Sequence, residues 1–191
     1  MSRLATLILA AGESKRFGSC KQLAKIGRET LIEHQLSIAH TITPDHVAVV
    51  VGAYAEEIKE KIHGKAIVFE NKHWQMGIGS SLAHGVRQLQ NYDGILVLLA
   101  DQIAIAQQGL LALRDRWFEN TENIVCARYD NILGVPTIFP RKYYNEIFML
   151  HEDVGAKHII QRYIENTVAV DIPTALFDID TLTDLENFAG N

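Results

Sequence analysis

The chain has 191 residues, 48% of them hydrophobic and 21% charged, which excludes a disordered chain and leaves room for a buried core without disulfides or a structural metal. Lys and Arg number 18 against 23 Asp and Glu, a net charge of −5. That balance argues against a dedicated nucleic-acid partner, because phosphate backbones reward a basic excess. Apolar runs such as Gly94–Ala100 fall far short of the ~18 residues of a membrane span, so no membrane partner is expected. The opening MSRLATLILAAGES reads as a first buried strand rather than a signal peptide, since its apolar run is short and ends in a charged loop. The two cysteines, Cys20 and Cys126, lie far apart with no CxxC, which points to a reducing compartment, the cytoplasm, and away from a disulfide framework or zinc.

Short runs rich in Val, Ile and Leu at Leu4–Ala10, His46–Gly52, Lys65–Glu70, Gly94–Ala100 and Asn123–Arg128 read as strands. Between them, Ile32, Leu36 and Ala39, and again Leu82, Val86 and Leu89, fall on single helical faces. Alternating strands and helices predict βαβ units: an α/β, three-layer α/β/α sandwich around a mostly parallel sheet. Residues 134–144, GVPTIFPRKYY, carry two prolines and read as an edge strand and turn. Val154–Glu165 reads as a helix, Val168–Ile172 and Phe177–Ile179 as late strands, and Thr181 with Asp184 as the capping box of a closing helix. With no repeat, low-complexity stretch or long linker, residues 1–191 are expected to form one domain.

In such sheets ligands bind at the carboxyl ends of the strands. The loop after the first strand holds five basic residues between Ser14 and Arg28 (Lys15, Arg16, Lys21, Lys25, Arg28) and no acidic one. A local cationic loop on an acidic chain is a focused anion site. Ala10, Ala11 and Gly12 lack bulk, so their backbone N–H groups can approach a phosphate or a base edge closely. Arg16 can grip phosphate oxygens bidentately, and Lys21 acts as a point charge. Neither GxxxxGK[ST] nor GxGxxG is present, and a merely solvated basic loop is the competing reading.

The segment LAAGESKRFGSCK (9–21) resembles the signature LAAGxSxRxGxxK of the MobA-like nucleotidyltransferases, with Leu9, Ala10, Ala11, Gly12, Ser14, Arg16, Gly18 and Lys21 in place. QMGIGSSLAHGV (75–86), LLADQI (98–103), GVPTIFPR (134–141), EDVGAK (152–157) and DIDTLTDLE (178–186) are similar, in order, to further segments of its molybdenum cofactor cytidylyltransferase branch. The resemblance covers nearly the whole chain. It implies a Rossmann-like fold, Mg²⁺ dependence, and transfer of CMP or GMP from the triphosphate with release of pyrophosphate. The implied partners are CTP or another NTP, a pterin-phosphate acceptor and a molybdoenzyme that receives the product.

Such a transfer asks the protein chiefly for positioning and charge neutralisation. Asp101, directly after ILVLLA, stands where a metal-binding carboxylate is expected, and Asp180 is the second candidate; each reads alternatively as a helix cap. Asp178 is set aside as alternating to the other face of a strand. Arg16 and Lys21 would neutralise the triphosphate and the leaving pyrophosphate, so Arg16, Lys21 and Asp101 form the expected catalytic set. Gly77, Gly79, Ser80 and Ser81 are assigned by the resemblance to base and ribose, against the plainer reading of a glycine turn with a serine cap. Trp74 and Lys157 are candidate acceptor contacts, with core packing and a surface lysine as the competing readings. The eight histidines lack metal spacing, and Cys20 is read as incidental, although a cationic loop is a setting in which a thiol pKa can fall. Ile103 and Leu182 stand where the family has proline, and Glu152 where it has the glycine before Asp153. A sugar phosphate or other small phosphomonoester is the alternative acceptor, and a non-catalytic cofactor carrier the alternative class.

Overall fold

Every residue of Leu4–Ala10 and of Val47–Val51 is buried, as strands apolar on both faces must be when helices cover both sides of a sheet. The computed structural model describes residues 2–152 and 154–189. Its first half runs through β1 (Leu4–Ala10), a hairpin of β2 (Lys25–Ile26) and β3 (Glu29–Thr30), α1 (Leu31–Ile42), β4 (Val47–Val51), α2 (Ala55–Lys61), β5 (Ile67–Glu70) and α3 (Ile78–Gln88). The second half adds β6 (Gly94–Leu99), α4 (Gln107–Glu119), β7 (Ile124–Tyr129), β8 (Ile132–Pro140), α5 (Tyr144–Phe148), α6 (Ala156–Arg162), β9 (Thr167–Asp171) and α7 (Leu182–Ala189).

The main sheet has the order β5-β4-β1-β6-β8-β7-β9, parallel throughout except where β8 runs antiparallel to both neighbours. Side chains alternate between the two covered faces. Leu4, Ile8 and Ala10 of β1 join α1, α2 and α4 through Leu36, Ile58 and Trp117, whereas Ala5, Leu7 and Leu9 join α3, α5 and α6 through Leu82, Ile147 and Ile159. The expected three-layer α/β/α sandwich is thereby formed. Among the described residues no helix is long and apolar enough to cross a membrane.

Three local expectations are corrected. The segment with two prolines is an interior strand, not an edge. On one side β8 pairs with β6 only from Pro140 to Thr137, and on the other the register with β7 shifts between Cys126 and Ala127, opposite Thr137 and Gly134. Val135 and Pro136 fall inside that bulge, where no ladder donor is required. Phe177–Ile179 is no strand: it follows a 3-10 turn over Pro173–Leu176 and is tied to the sheet end by a backbone bond from Ile179 N–H to Asp101 O (3.1 Å). The helix expected over 154–165 is confined to α6 and a separate 3-10 turn at Ile164–Asn166. The closing helix is capped as expected, with Thr181 Oγ1 accepting from Asp184 N–H (3.1 Å) and Asp184 Oδ2 accepting from Thr181 N–H (2.7 Å).

Candidate active site

From β1 the chain crosses outward to β4 and β5, then returns to the other flank of β1 as β6. The strand order therefore reverses between β1 and β6, the position at which open α/β sheets leave a crevice beyond their carboxyl ends. A cleft of about 520 Å³ opens there. Leu9, Ala11, Gly12, Ser14, Arg16 and Lys21 form one wall, Trp74, Gly77, Ile78 and Ser81 another, and Asp101 and Asp180 the remaining side.

Three loops meet at this cleft because each carries an apolar anchor. Phe17 from the first loop, Ile103 just after Asp101 and Ile179 just before Asp180 are buried together with Leu31. Their common burial brings the charged neighbours to one place. The first loop closes on itself, with Phe17 and Gly18 N–H donating to Ser14 O (2.9 and 3.1 Å) and both Ser14 and Gly18 at positive φ.

Lys21 Nζ donates to Asp101 Oδ2 (2.6 Å) and to Asp180 Oδ1 (3.0 Å), so a single ammonium from the first loop bridges two carboxylates of the second half of the chain. Arg16 Nη2 lies 2.7 Å from the second oxygen of Asp180, on the solvent side. Desolvation works against the charge on Lys21, but the attraction of Asp101 and the bonds to Asp101 and Asp180 outweigh it and raise its pKa. Asp178 lies close enough to feel both carboxylates: burial, then Asp101 and Asp180, push its carboxyl up to about 6, although the residue keeps one side toward solvent. Its placement on the far face of a strand is corrected, since this stretch is not a strand. Buried Oδ1 of Asp101 has no partner among the described residues.

Of the residues singled out in the sequence, Leu9, Ala11, Gly12, Ser14, Arg16, Lys21, Trp74, Gly77, Ser81, Asp101 and Asp180 share the cleft lining. Ala10 is turned into the core beneath it. Gly79 and Ser80 do not reach the lining. Gly79 lies against His151 and Val154, its N–H donating to Glu152 O (3.0 Å), and Ser80 Oγ donates to His73 O (3.2 Å). Gly77, by contrast, carries a φ of +88° at the start of α3, which favours glycine. Lys157 is exposed on α6 outside the cleft lining, and Asp153 lies outside the described residues. Lys25 and Arg28 belong to the small hairpin away from the lining, so three of the five loop cations (Lys15, Arg16, Lys21) face the cleft. Burial raises the pKa of the Cys20 thiol, so the cationic loop does not activate it.

Sequence reasoning missed Gln22 and Asn71. Gln22, buried in the lining, accepts from Ser14 Oγ (3.4 Å) and Cys20 Sγ (3.3 Å). Asn71, also buried, donates through Nδ2 to Ser80 Oγ and Ser81 Oγ (3.1 Å each) and fixes the first turn of α3. Its position directly after β5 was the available signal.

Among the described residues no group of three or more His, Cys, Asp or Glu is arranged to hold a metal. The Asp101–Asp180 pair fits instead a hard divalent ion of the kind that takes one or two carboxylates and completes its shell with phosphate oxygens and water. The unpartnered Oδ1 of Asp101 is consistent with that donor set.

The Francisella tularensis subsp. novicida (strain U112) bifunctional protein GlmU is 28% identical over 180 residues, covering 93% of this chain and 36% of that protein. The chain thus spans about a third of the length of the curated relatives it matches. The crystal structure of a homologue of Mycobacterium tuberculosis Rv0371c, from Mycobacterium sp. strain JC1, superposes with a TM-score of 0.83 at 26% identity, covering 98% of this chain and 96% of that one. A manganese complex of Rv0371c from M. tuberculosis H37Rv gives 0.80 at 23% identity over all of both chains. The family model described as the MobA-like NTP transferase domain matches residues 6–168, and the chain belongs to that family.

Proposed function

We propose that the protein transfers CMP from CTP to the terminal phosphate of a molybdopterin-type cofactor and releases pyrophosphate, with residues 1–191 acting as one nucleotidyltransferase domain in the cytoplasm. The observation that carries the reading is the meeting of Arg16 and Lys21 with Asp101 and Asp180 at one end of a nucleotide-sized cleft.

The backbone of Leu9–Gly12, Gly77 and the Ser81 hydroxyl hold base and ribose at the apolar end, and the triphosphate extends toward Lys21 and Arg16. There an oxygen of the acceptor's phosphate bonds to the α-phosphorus while the bond to the oxygen bridging to the β-phosphate breaks, and pyrophosphate leaves with that electron pair. Lys21 and Arg16 neutralise the charge that gathers on the leaving group. No side chain has to remove a proton, because a phosphate monoester is ionised near neutral pH. Asp101 and Asp180 would hold magnesium, which when bound supplies charge stabilisation to the phosphate oxygens. Trp74, half-buried against the core and also lining the cleft, offers part of a flat apolar ring to a pterin, and that position supports this acceptor. Lys157 lies farther out and would reach only the acceptor's distal part.

Calorimetric titration with CTP, GTP, ATP and UTP, with and without Mg²⁺, tests class and base choice together. The expected result is Mg²⁺-dependent binding that favours CTP. Pyrophosphate release is then followed with molybdopterin and with sugar phosphates as acceptors. Turnover only with sugar phosphates would replace the acceptor, and binding without turnover on any acceptor would make the protein a carrier.

A further inference from the structure

The ammonium of Lys21 fills the space between two carboxylates that the proposed reaction needs for a metal ion. It makes bonds of 2.6 and 3.0 Å to one oxygen each of Asp101 and Asp180, and its side chain is only 12% exposed. Arg16 holds the other oxygen of Asp180 from the solvent side, with 73% of its side chain exposed, so it does not share the inner seat. A divalent ion entering between these carboxylates would meet the Lys21 charge at contact range in a partly desolvated site, where like charges repel far more strongly than in water. Lysine has the means to leave: a flexible four-carbon stem on a backbone that is independently fixed, here by the 3-10 turn Lys21–Leu23 and the bond from Lys21 N–H to Ser14 Oγ (3.4 Å). It lacks a reason to leave until another anion is within reach of that stem.

We infer that Lys21 is the resident cation of the Asp101–Asp180 pair and bars a free divalent ion from it, so that metal enters only with a triphosphate that draws Lys21 aside. This rests on the nucleotide reading of the cleft, and it adds an order of binding to that reading. The triphosphate and the metal then assist each other's entry reciprocally, since each stabilises the arrangement with Lys21 displaced. A bare metal ion meets a closed pair, and the metal–nucleotide complex meets one it can open.

The inference is tested by Mn²⁺ binding without nucleotide, read from the electron paramagnetic resonance of free Mn²⁺. Wild-type protein is expected to bind Mn²⁺ no more tightly than Asp101→Asn. Lys21→Met and Lys21→Gln, confirmed as folded by circular dichroism, are expected to bind it at least about tenfold more tightly than wild type, a modest return for removing one close like charge. Two results would overturn the inference. One is tight Mn²⁺ binding by the wild type alone that Asp101→Asn abolishes, an outcome that does not depend on any Lys21 variant folding. The other is folded Lys21 variants whose Mn²⁺ affinity equals that of wild type. Because this arm contains no nucleotide, its failure leaves the titrations with CTP standing, and failure of those titrations leaves the Mn²⁺ result readable.

Discussion

Replacing Gly79 by alanine separates a packing role from a ligand-binding one. A Cβ at this position would lie 2.5 Å from Val154 O, 3.0 Å from His151 O and 3.1 Å from His151 N, all backbone atoms. Ordinary carbon–oxygen contact begins at about 3.4 Å, so α3 must separate from His151 and Val154 by nearly an ångström, and the bond from Gly79 N–H to Glu152 O (3.0 Å) lengthens with them. Overpacking of this kind costs about 1–3 kcal/mol, and alanine's better helix propensity returns at most about 1 kcal/mol. The expected net loss is about 1–2 kcal/mol, a fall of roughly 2–8 °C in Tm for a chain of this length. Urea unfolding followed by circular dichroism measures it. A variant within 0.5 kcal/mol of wild type, or more stable, would show that this helix start and those two residues do not touch as described.

Gly52→Ala places a Cβ 2.6 Å from Ala11 O and 2.6 Å from Trp74 Cβ, so it should push two walls of the cleft apart. CTP affinity is expected to fall about tenfold with a shift in tryptophan emission, and unchanged titrations would disprove the close approach. The carboxyl of Asp178, pushed up to about 6 from an ordinary 3.8, means that the folded chain keeps a proton the unfolded chain releases. That contribution is complete below pH 3.8 and is lost as pH rises through 6. Asp178→Asn should therefore be more stable than wild type at pH 7 by about 1 kcal/mol, a figure reduced for solvent screening, and equal to it at pH 3.5; equal stability at both would remove the shift. Glu152 adopts a φ of +55°, where the family pattern has glycine. Glu152→Gly should gain about 1 kcal/mol in urea unfolding, and a loss would place Glu152 outside the left-handed region.

Much of the framework was legible because burial on both faces leaves an unmistakable composition. Leu4–Ala10 was delimited to the residue, and the cationic loop and Asp101 were found from their places at strand ends. What was not legible depends on pairing partners. Pro136 marks an edge in isolation, and only the register shift opposite Cys126 shows how an interior strand accommodates it. Lys21 announced itself as a phosphate ligand, yet nothing within its own loop indicates that carboxylates 80 and 159 residues away would hold it. Gly79 and Gly77 look alike in sequence; one relieves contact with a distant segment and the other satisfies a positive φ. The burial of Phe17, Ile103 and Ile179 as one cluster, which assembles the site, is a long-range fact with no local periodicity to reveal it.

Pyrophosphate release from CTP in the presence of Mg²⁺ and molybdopterin, compared between wild type and Asp101→Asn, decides whether the cleft is a nucleotidyl-transfer site. The wild type should turn over, and the variant should fall by roughly 10²-fold or more while keeping its fold, the usual loss when one charge-stabilising group is removed. Equal rates in the two proteins, or no pyrophosphate from the wild type with any nucleotide and acceptor, would take the reaction away from this cleft.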